Sequence, residues 1–375
     1  MKKISLGGFL ILFITVNSCI DPYPPEFDFI EGLYVIDGLA STVEGTTYVT
    51  IRKTYIEYGK YKANFVEGCQ VRLINAVTKE EIVLTEKAQN YLPPENFKVT
   101  PGSSWMVEVQ TPEGKRFVSD PEKAPGSVRV NDISEQYNPE MIYDEGINKY
   151  IPGHEIRINF DDPNEEKNFY YYQYRAYEKA QYCALCDNSV LRNGKCVSFT
   201  PSRRTRDYYT YSCSSPCWNI TYNEDVTIYD DVFSNGKSIN NLLVAKVPLY
   251  SRQDVLVEIL QLNITAEAHA YFKTLKDIVD NNSGFNAPLP TALTGNFYNN
   301  QNNEEAVLGR FTVAASSYRS ISIKRGKIAE TPAAYFKSLQ PEMYGDPLPA
   351  PLTYDAPCQE NRNQTAKSPL GWIIE

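Results

Sequence analysis

Apolar and polar positions alternate with period two along most of this chain, the signature of strands with one face buried. Leu33-Tyr34-Val35-Ile36-Asp37-Gly38 reads as a strand ending in a turn. Thr47-Tyr48-Val49-Thr50-Ile51-Arg52, Cys69-Gln70-Val71-Arg72-Leu73-Ile74 and Trp105-Met106-Val107-Glu108-Val109 alternate cleanly. Asn75, Pro93-Pro94 and Pro101-Gly102 punctuate these runs as turns. Short strands at this spacing predict an immunoglobulin-like β-sandwich over residues 30–125, closed by the Pro121 to Gly126 stretch as a boundary.

The pattern resumes in a larger β-rich domain over 126–375. Glu155 to Phe160 alternates and is followed by the turn Asp161-Asp162-Pro163-Asn164. Phe169 to Tyr177 (FYYYQYRAY) is an aromatic strand, and Val226 to Tyr229, Leu242 to Leu249, Asp254 to Ile264, Val307 to Ala314 and Tyr318 to Ile323 are further strands. One helix is expected near 265–281. Thr265 stands as N-cap, Glu267 lies in the first turn, and Tyr271, Leu275, Ile278 and Val279 form an apolar stripe that packs on a sheet. Pro341 to Pro357 reads as proline-rich coil. The fold class is thus mainly β with one packed α-helix.

Residues 1–18 read as a signal peptide. Lys2 and Lys3 precede the apolar run Gly8 to Val16, which is too short to span a bilayer. Val16-Asn17-Ser18-Cys19 has the lipobox form, a small residue before a cysteine and an aliphatic one at the third position before it. Cys19 is therefore the expected lipidation site, and its acyl chains the expected link to a bilayer. Residues 19–29 are proline-rich and read as an extended tether.

The formal net charge of -9 and the lack of a basic block argue against nucleic-acid binding. Two histidines, His154 and His269, are few for His-dependent hydrolysis or a His-rich metal site. The 28 tyrosines suit pleated, half-buried surfaces, and they also suit a surface that binds sugars or a partner.

Eight cysteines are present, and with Cys19 reserved for lipid an odd number remains. Export implies an oxidising compartment and a disulfide framework. Two bridges are expected among Cys183, Cys186, Cys196 and Cys213, with their connectivity open, and a third between Cys217 and Cys358. Cys69 shares a strand face with Val71 and Leu73 and is expected to be a buried free thiol. The competing reading is a zinc site, because Cys183-x-x-Cys186 and Cys213-x-x-x-Cys217 have ligand spacing. The insert at 183–217 lacks apolar periodicity and reads as a stapled surface excursion, with Arg203, Arg204 and Arg206 a solvated run or an anion-contacting patch.

No Gly-x-Ser-x-Gly elbow, His-Glu-x-x-His or phosphate-binding glycine loop occurs. Asp161-Asp162 and Asp230-Asp231 could serve as carboxylate pairs for glycoside chemistry, and both adjoin turn residues that explain them without catalysis. No catalytic residue, metal or cofactor is assigned.

A set of short motifs resembles a Bacteroidota lipoprotein family of unknown function. They are Tyr34-Val35-Ile36-Asp37-Gly38, Cys217-Trp218, Phe233-Ser234-Asn235-Gly236-Lys237, the helix around Glu267 to Leu275, Leu293-Thr294-Gly295-Asn296, Val307-Leu308-Gly309-Arg310-Phe311, and a tail with Cys358, Pro369 and Trp372. The tail departs from the pattern in lacking a second cysteine soon after Cys358. The resemblance implies a cell-envelope lipoprotein, often encoded beside a TonB-dependent outer-membrane transporter, with no known catalytic residues. Three functions are then weighed. The first is a binding or accessory module at the outer membrane, with exposed Tyr and Trp making contacts to a small-molecule or glycan ligand. The second is a lipid-anchored glycan hydrolase. The third is a structural envelope protein, which would lack a concave aromatic pocket.

Overall fold

The computed structural model of the protein describes residues 31–58, 60–198, 208–280, 293, 295–302, 304–332, 339–341, 353–369 and 371–372. The expected signal peptide, Cys19 and the tether lie outside them, as do Arg203, Arg204 and Arg206. No helix among the described residues is long and apolar enough to cross a membrane.

The fold is mainly β with one helix. Strands β1 (Tyr34–Ser41), β2 (Tyr48–Glu57), β3 (Lys60–Phe65), β4 (Gln70–Asn75), β5 (Glu81–Lys87), β6 (Asn90–Leu92), β7 (Ser104–Gln110), β8 (Arg116–Ser119) and β9 (Glu122–Lys123) build a sandwich. β1 pairs antiparallel with β2 and β2 with β3, while β4 lies between β5 and β7. Alternation dictates what is inside. Tyr34 and Ile36 of β1, Val49 and Ile51 of β2, Val71 and Leu73 of β4, and Val107 and Val109 of β7 meet in one core. Each such side chain contributes about 1.5–3 kcal/mol by leaving water. Cys69 is buried and unpaired in that core, and burial pushes its thiol up.

Strands β10 (Val130–Asp144), β11 (Lys149–Asp161), β12 (Phe169–Lys179), β13 (Tyr182–Asp187), β14 (Ser189–Arg192), β15 (Lys195–Ser198), β16 (Tyr208–Cys213), β17 (Trp218–Tyr222), β18 (Thr227–Asp230), β19 (Ser238–Pro248) and β20 (Val255–Ile264) follow. β10, β11 and β19 form a three-stranded sheet. It packs on β12 and β20, with Ile156, Ile158, Phe160, Tyr170, Tyr172, Val257 and Ile259 between the layers. Helix α1 (Ala266–Asp280) comes next, then β21 (Phe297–Asn299), β22 (Val307–Leu308), β23 (Phe311–Ile323), β24 (Leu339–Pro341), β25 (Asp355–Ala356) and β26 (Gln364–Thr365).

Residues 30–125 do not complete the first sandwich by themselves. β21 adds to β8, and β22 and the start of β23 run parallel to β1. Phe297, Phe311 and Val313 enter its core. The physical reason is the exposed edge of β1, which needs a partner for its backbone groups. β23 then continues as the antiparallel neighbour of β20, from Asn263↔Ala315 to Val255↔Ile323. One strand therefore belongs to both layers and joins the two units.

The helix also differs from its expected stripe. Thr265 caps it, accepting from the Ala268 N–H at 3.2 Å. Ala268 and Tyr271 are buried, and Phe272 stacks on Tyr171 with ring centroids 4.1 Å apart. Val279 is exposed. The fully buried residues of α1 lie in its first half, Leu275 and Ile278 of the stripe are half-buried, and only Val279 is left out.

The cysteine-rich insert has a small core of its own, in place of the coreless excursion expected. Cys183 bonds to Cys213, Cys186 to Cys196 and Cys217 to Cys358. Val190, Leu191, Tyr209 and Tyr211 pack around them. Sulfurs of Cys183, Cys217 and Cys358 lie within 4.8 Å of one another because two disulfides abut. A disulfide sulfur is not the thiolate that zinc requires.

Candidate functional site: a cleft between the two sheets

Two strands of the first sandwich and two of the second turn their other faces toward one another. On β2 the residues left over from the core are Tyr48, Thr50 and Arg52, and on β1 they are Asp37 and Leu39. On β12, Tyr170, Tyr172 and Tyr174 fill the second core, while Tyr171, Gln173 and Arg175 face out of it. On β20, Val257 and Ile259 point in, and Glu258, Leu260 and Leu262 line the cleft. Tyr271, Phe272 and Leu275 of α1 cover one side, and Tyr222 and Arg362 stand at the other. The volume of the cleft is about 460 Å³. That is the scale of a site for one small molecule.

The lining is graded. Tyr171 pairs with Leu262, Gln173 with Leu260 and Arg175 with Glu258 in register, so the wall passes from apolar through amide to charged. The facing wall repeats the order, with Leu39 opposite Tyr48 and Asp37 opposite Thr50, then Arg52 beyond. Leu39, Tyr48, Tyr171, Leu262 and Phe272 belong to one apolar cluster at one end.

The charged end is held by residues far apart in sequence. Arg362 stacks over Tyr222, 5.2 Å from the ring centroid, and the Tyr222 hydroxyl donates to the Arg362 carbonyl at 2.6 Å. The tail reaches this place because Cys217–Cys358 ties it to β17 and β26 pairs with β17. Tyr318 donates to Glu258 at 3.0 Å. Arg310 ion-pairs with Glu122 at 2.6 Å, while its Nε is buried without a hydrogen-bond partner.

Burial dominates the titration of these groups. It raises the Asp37 carboxyl, against Arg52 and Arg362. It raises Glu258 against Arg175, and pushes Glu122 up to about 7 despite Arg310. Burial also raises Tyr48, and takes Tyr171 up to about 12. Both phenols therefore remain neutral O–H groups near pH 7, able to donate and accept.

Three of the motifs singled out in the sequence converge beneath this cleft. Gly295 lies against Gly309, where an added Cβ would come 1.7 Å from the Gly309 carbonyl oxygen. Gly309 has φ +98 and sits so close to β1 that a Cβ would meet the Ile36 oxygen at 2.2 Å. Only glycine fits at either position. Asn296 then clamps Phe311 through both its amide atoms at 2.9 Å. The Gly38 N–H donates to the Arg310 carbonyl at 3.0 Å. The junction fixes Asp37 and Arg310 side by side.

The candidate carboxylates lie elsewhere. Asp162 accepts from the Tyr170 hydroxyl and the Gly236 N–H, and Asp231 accepts from the Asn168 N–H at 2.7 Å. Asp161 is bonded by Asn131 and Ser238, and Asp230 by the Val232 N–H. Burial raises Asp162, whereas the bonds from Ser238 and Asn131 lower Asp161. These oxygens are taken up by hydrogen bonds to strand ends and turns, and none of the four residues lines the cleft. The tryptophans do not present contacts either. Trp105 and Trp218 are buried, and Trp372 packs edge-on against Trp218.

Asp37, Arg52, Arg175 and Arg310 were not picked out as site residues by sequence. The available signal was the second face of the alternating strands, where Tyr48-Thr50-Arg52 and Tyr171-Gln173-Arg175 carry aromatic and charged groups together.

A family model described as a domain of unknown function (DUF4249) matches residues 20–320. No curated protein and no solved structure matches the chain. The matched span takes in both walls of the cleft but ends before Arg362. By that span, which covers most of its length, the chain belongs to the DUF4249 family.

Proposed function

We propose that this protein is a ligand-binding module of the bacterial cell envelope, anchored by acylated Cys19 at the outer membrane and working beside a TonB-dependent transporter. The cleft carries this reading. It is a concave, aromatic and charged cavity of small-molecule size, whose polar groups are held in place by the fold. A purely structural envelope protein has no need to line a cavity with such groups. Three disulfides suit the oxidising side of a membrane, and Val16-Asn17-Ser18-Cys19 has the form that lipid transfer needs. A lipid anchor would hold the cleft near a transporter mouth and raise its effective concentration there without further contacts.

The hydrolase reading finds no comparable support, because the aspartates that motivated it are occupied in turn geometry.

Affinity purification of the tagged chain from gently solubilised outer membrane tests the proposal. Stoichiometric recovery of a TonB-dependent transporter is expected, as is loss of membrane attachment with Cys19→Ser. Recovery of the lipidated chain alone would end the transporter partnership and leave a free-standing binder.

A further inference from the structure

We infer that the cleft binds a singly charged, amphipathic organic anion, its acidic head between Arg52 and Arg362 and its apolar or aromatic body toward Leu39, Leu262 and Phe272. This rests on the binding role proposed above and specifies the ligand class.

The first argument is charge. Glu258 stands in register beside Arg175, and Arg310 is ion-paired with Glu122. Arg52 and Arg362 are left with Asp37 between them, within Coulombic reach of both. Among the described residues, no carboxylate lies within ion-pair distance of either guanidinium. The two cations also face each other, and that repulsion opposes the charge of Arg52. One carboxylate shared by two arginines leaves one positive charge unanswered. Guanidinium groups present planar, paired N–H donors to an oxyanion, and such charge-assisted bonds are about twice as strong as neutral ones.

The second argument is the gradient. Each wall changes from charged to apolar in the same direction, and the apolar ends meet under the stacked pair Tyr171–Phe272. A small inorganic anion would fill only the charged end and leave this cavity wet against leucine. A neutral apolar ligand would desolvate the half-buried Arg52 and leave it unpaired, which is costly. A molecule with both parts matches the lining along its length.

The test uses two probes with the same aromatic body. One is 8-anilinonaphthalene-1-sulfonate, a monoanion, and the other is N-phenyl-1-naphthylamine, which lacks the sulfonate. The full chain carrying Cys19→Ser, free of lipid and detergent, is titrated with each by fluorescence. One anionic probe per chain is expected, bound at least about tenfold more tightly than the neutral one. Arg52→Gln and Arg362→Gln should each weaken the anion about tenfold and leave the neutral probe unchanged. Arg362 is exposed, so its variant keeps the fold. Equal binding of the two probes, or an anion affinity indifferent to both substitutions, overturns the ligand class while leaving the cleft a binding site. Binding of neither probe overturns the cleft as a binding site as well.

Discussion

Arg325 and Arg52 both sit between sheets, in different hydrogen-bonding circumstances. Arg325 is fully buried. Its Nε donates to His154 Nε2 at 3.2 Å, one terminal nitrogen to Glu178 and the other to the Pro248 carbonyl at 3.3 Å. Its backbone N–H reaches Asp254 at 3.0 Å. These contacts tie the end of β23 to β11, β12, β19 and the residue before β20. Arg52 is half-buried, faces Arg362, and has no carboxylate at ion-pair distance among the described residues. A guanidinium that holds a fold together has its donors answered by protein. One whose donors are left over in a cavity is available to something that is not protein. The contrast supports the proposal that the cleft is a binding region, without any catalytic motif.

The largest effect should come from breaking the saturated cluster. Arg325→Met removes a fully buried cation and leaves the half-buried Glu178 without its partner and His154 without its donor. Breaking one partner of such a pair costs about 3–5 kcal/mol. Urea unfolding should show this as a lower midpoint with little change in slope. A loss under about 1 kcal/mol would remove the distinction between the two arginines.

Next comes the staple that brings Arg362 to the cleft. Cys217 and Cys358 are 141 residues apart in sequence. Replacing both with serine should cost about 2–4 kcal/mol, within the usual range for a disulfide closing a long loop. It should also weaken the anionic probe, because Arg362 would lose its covalent tether and be held by Tyr222, the Asn363–Ile220 hydrogen bonds and the short β17–β26 pairing. Reduced stability with unchanged probe affinity would show that the tail positions itself without the bond.

The saturated cluster also predicts a pH response. Arginine only donates, so His154 Nε2 must accept from Arg325, and Nδ1–H then donates to Glu135 at 2.9 Å. The imidazole is therefore neutral. Its folded pKa is lowered, first by burial and also by Arg325, against the opposing pull of Glu135. A base kept neutral by folding contributes fully above its unfolded pKa of about 6.5 and loses stability as pH falls below it. The slope cannot exceed about 1.4 kcal/mol per pH unit for one group. Unfolding free energies between pH 7.5 and 5.5 should fall in the native chain and fall less in His154→Gln. Equal slopes would mean that His154 is not the group responding.

Much of the fold was legible because it rests on period two. The runs around Tyr34–Ile36, Val49–Ile51 and Ile156–Phe160 mark buried faces wherever the strands pair. What period two cannot show is which strand lies beside which. The return of β21, β22 and β23 to the first sandwich is a non-local choice, made by the edge of β1 and by the two glycines, Gly295 and Gly309, that allow close approach. The cleft was hidden for the same reason. Tyr48-Thr50-Arg52 and Tyr171-Gln173-Arg175 each look like the solvent face of an amphipathic strand. Only their placement opposite one another makes them a site. The aspartate pairs, by contrast, were visible as a cluster and belonged to a turn.

The smallest effect sharpens the comparison most. Arg52→Gln removes a charge that has Coulombic attraction from Asp37 and repulsion from Arg362. The two contributions oppose each other, and no ion pair is broken. Stability should therefore change by no more than about 0.5 kcal/mol, the range of substitutions that disturb no specific contact. Relief of the repulsion makes a small gain as natural as a small loss. The same holds for Arg362→Gln, whose stacking on Tyr222 is exposed. Thermal unfolding of these variants beside Arg325→Met puts the two kinds of arginine on one scale. If Arg52→Gln unfolds as early as Arg325→Met, Arg52 is a structural residue, and the unanswered charge in the cleft no longer points to a ligand.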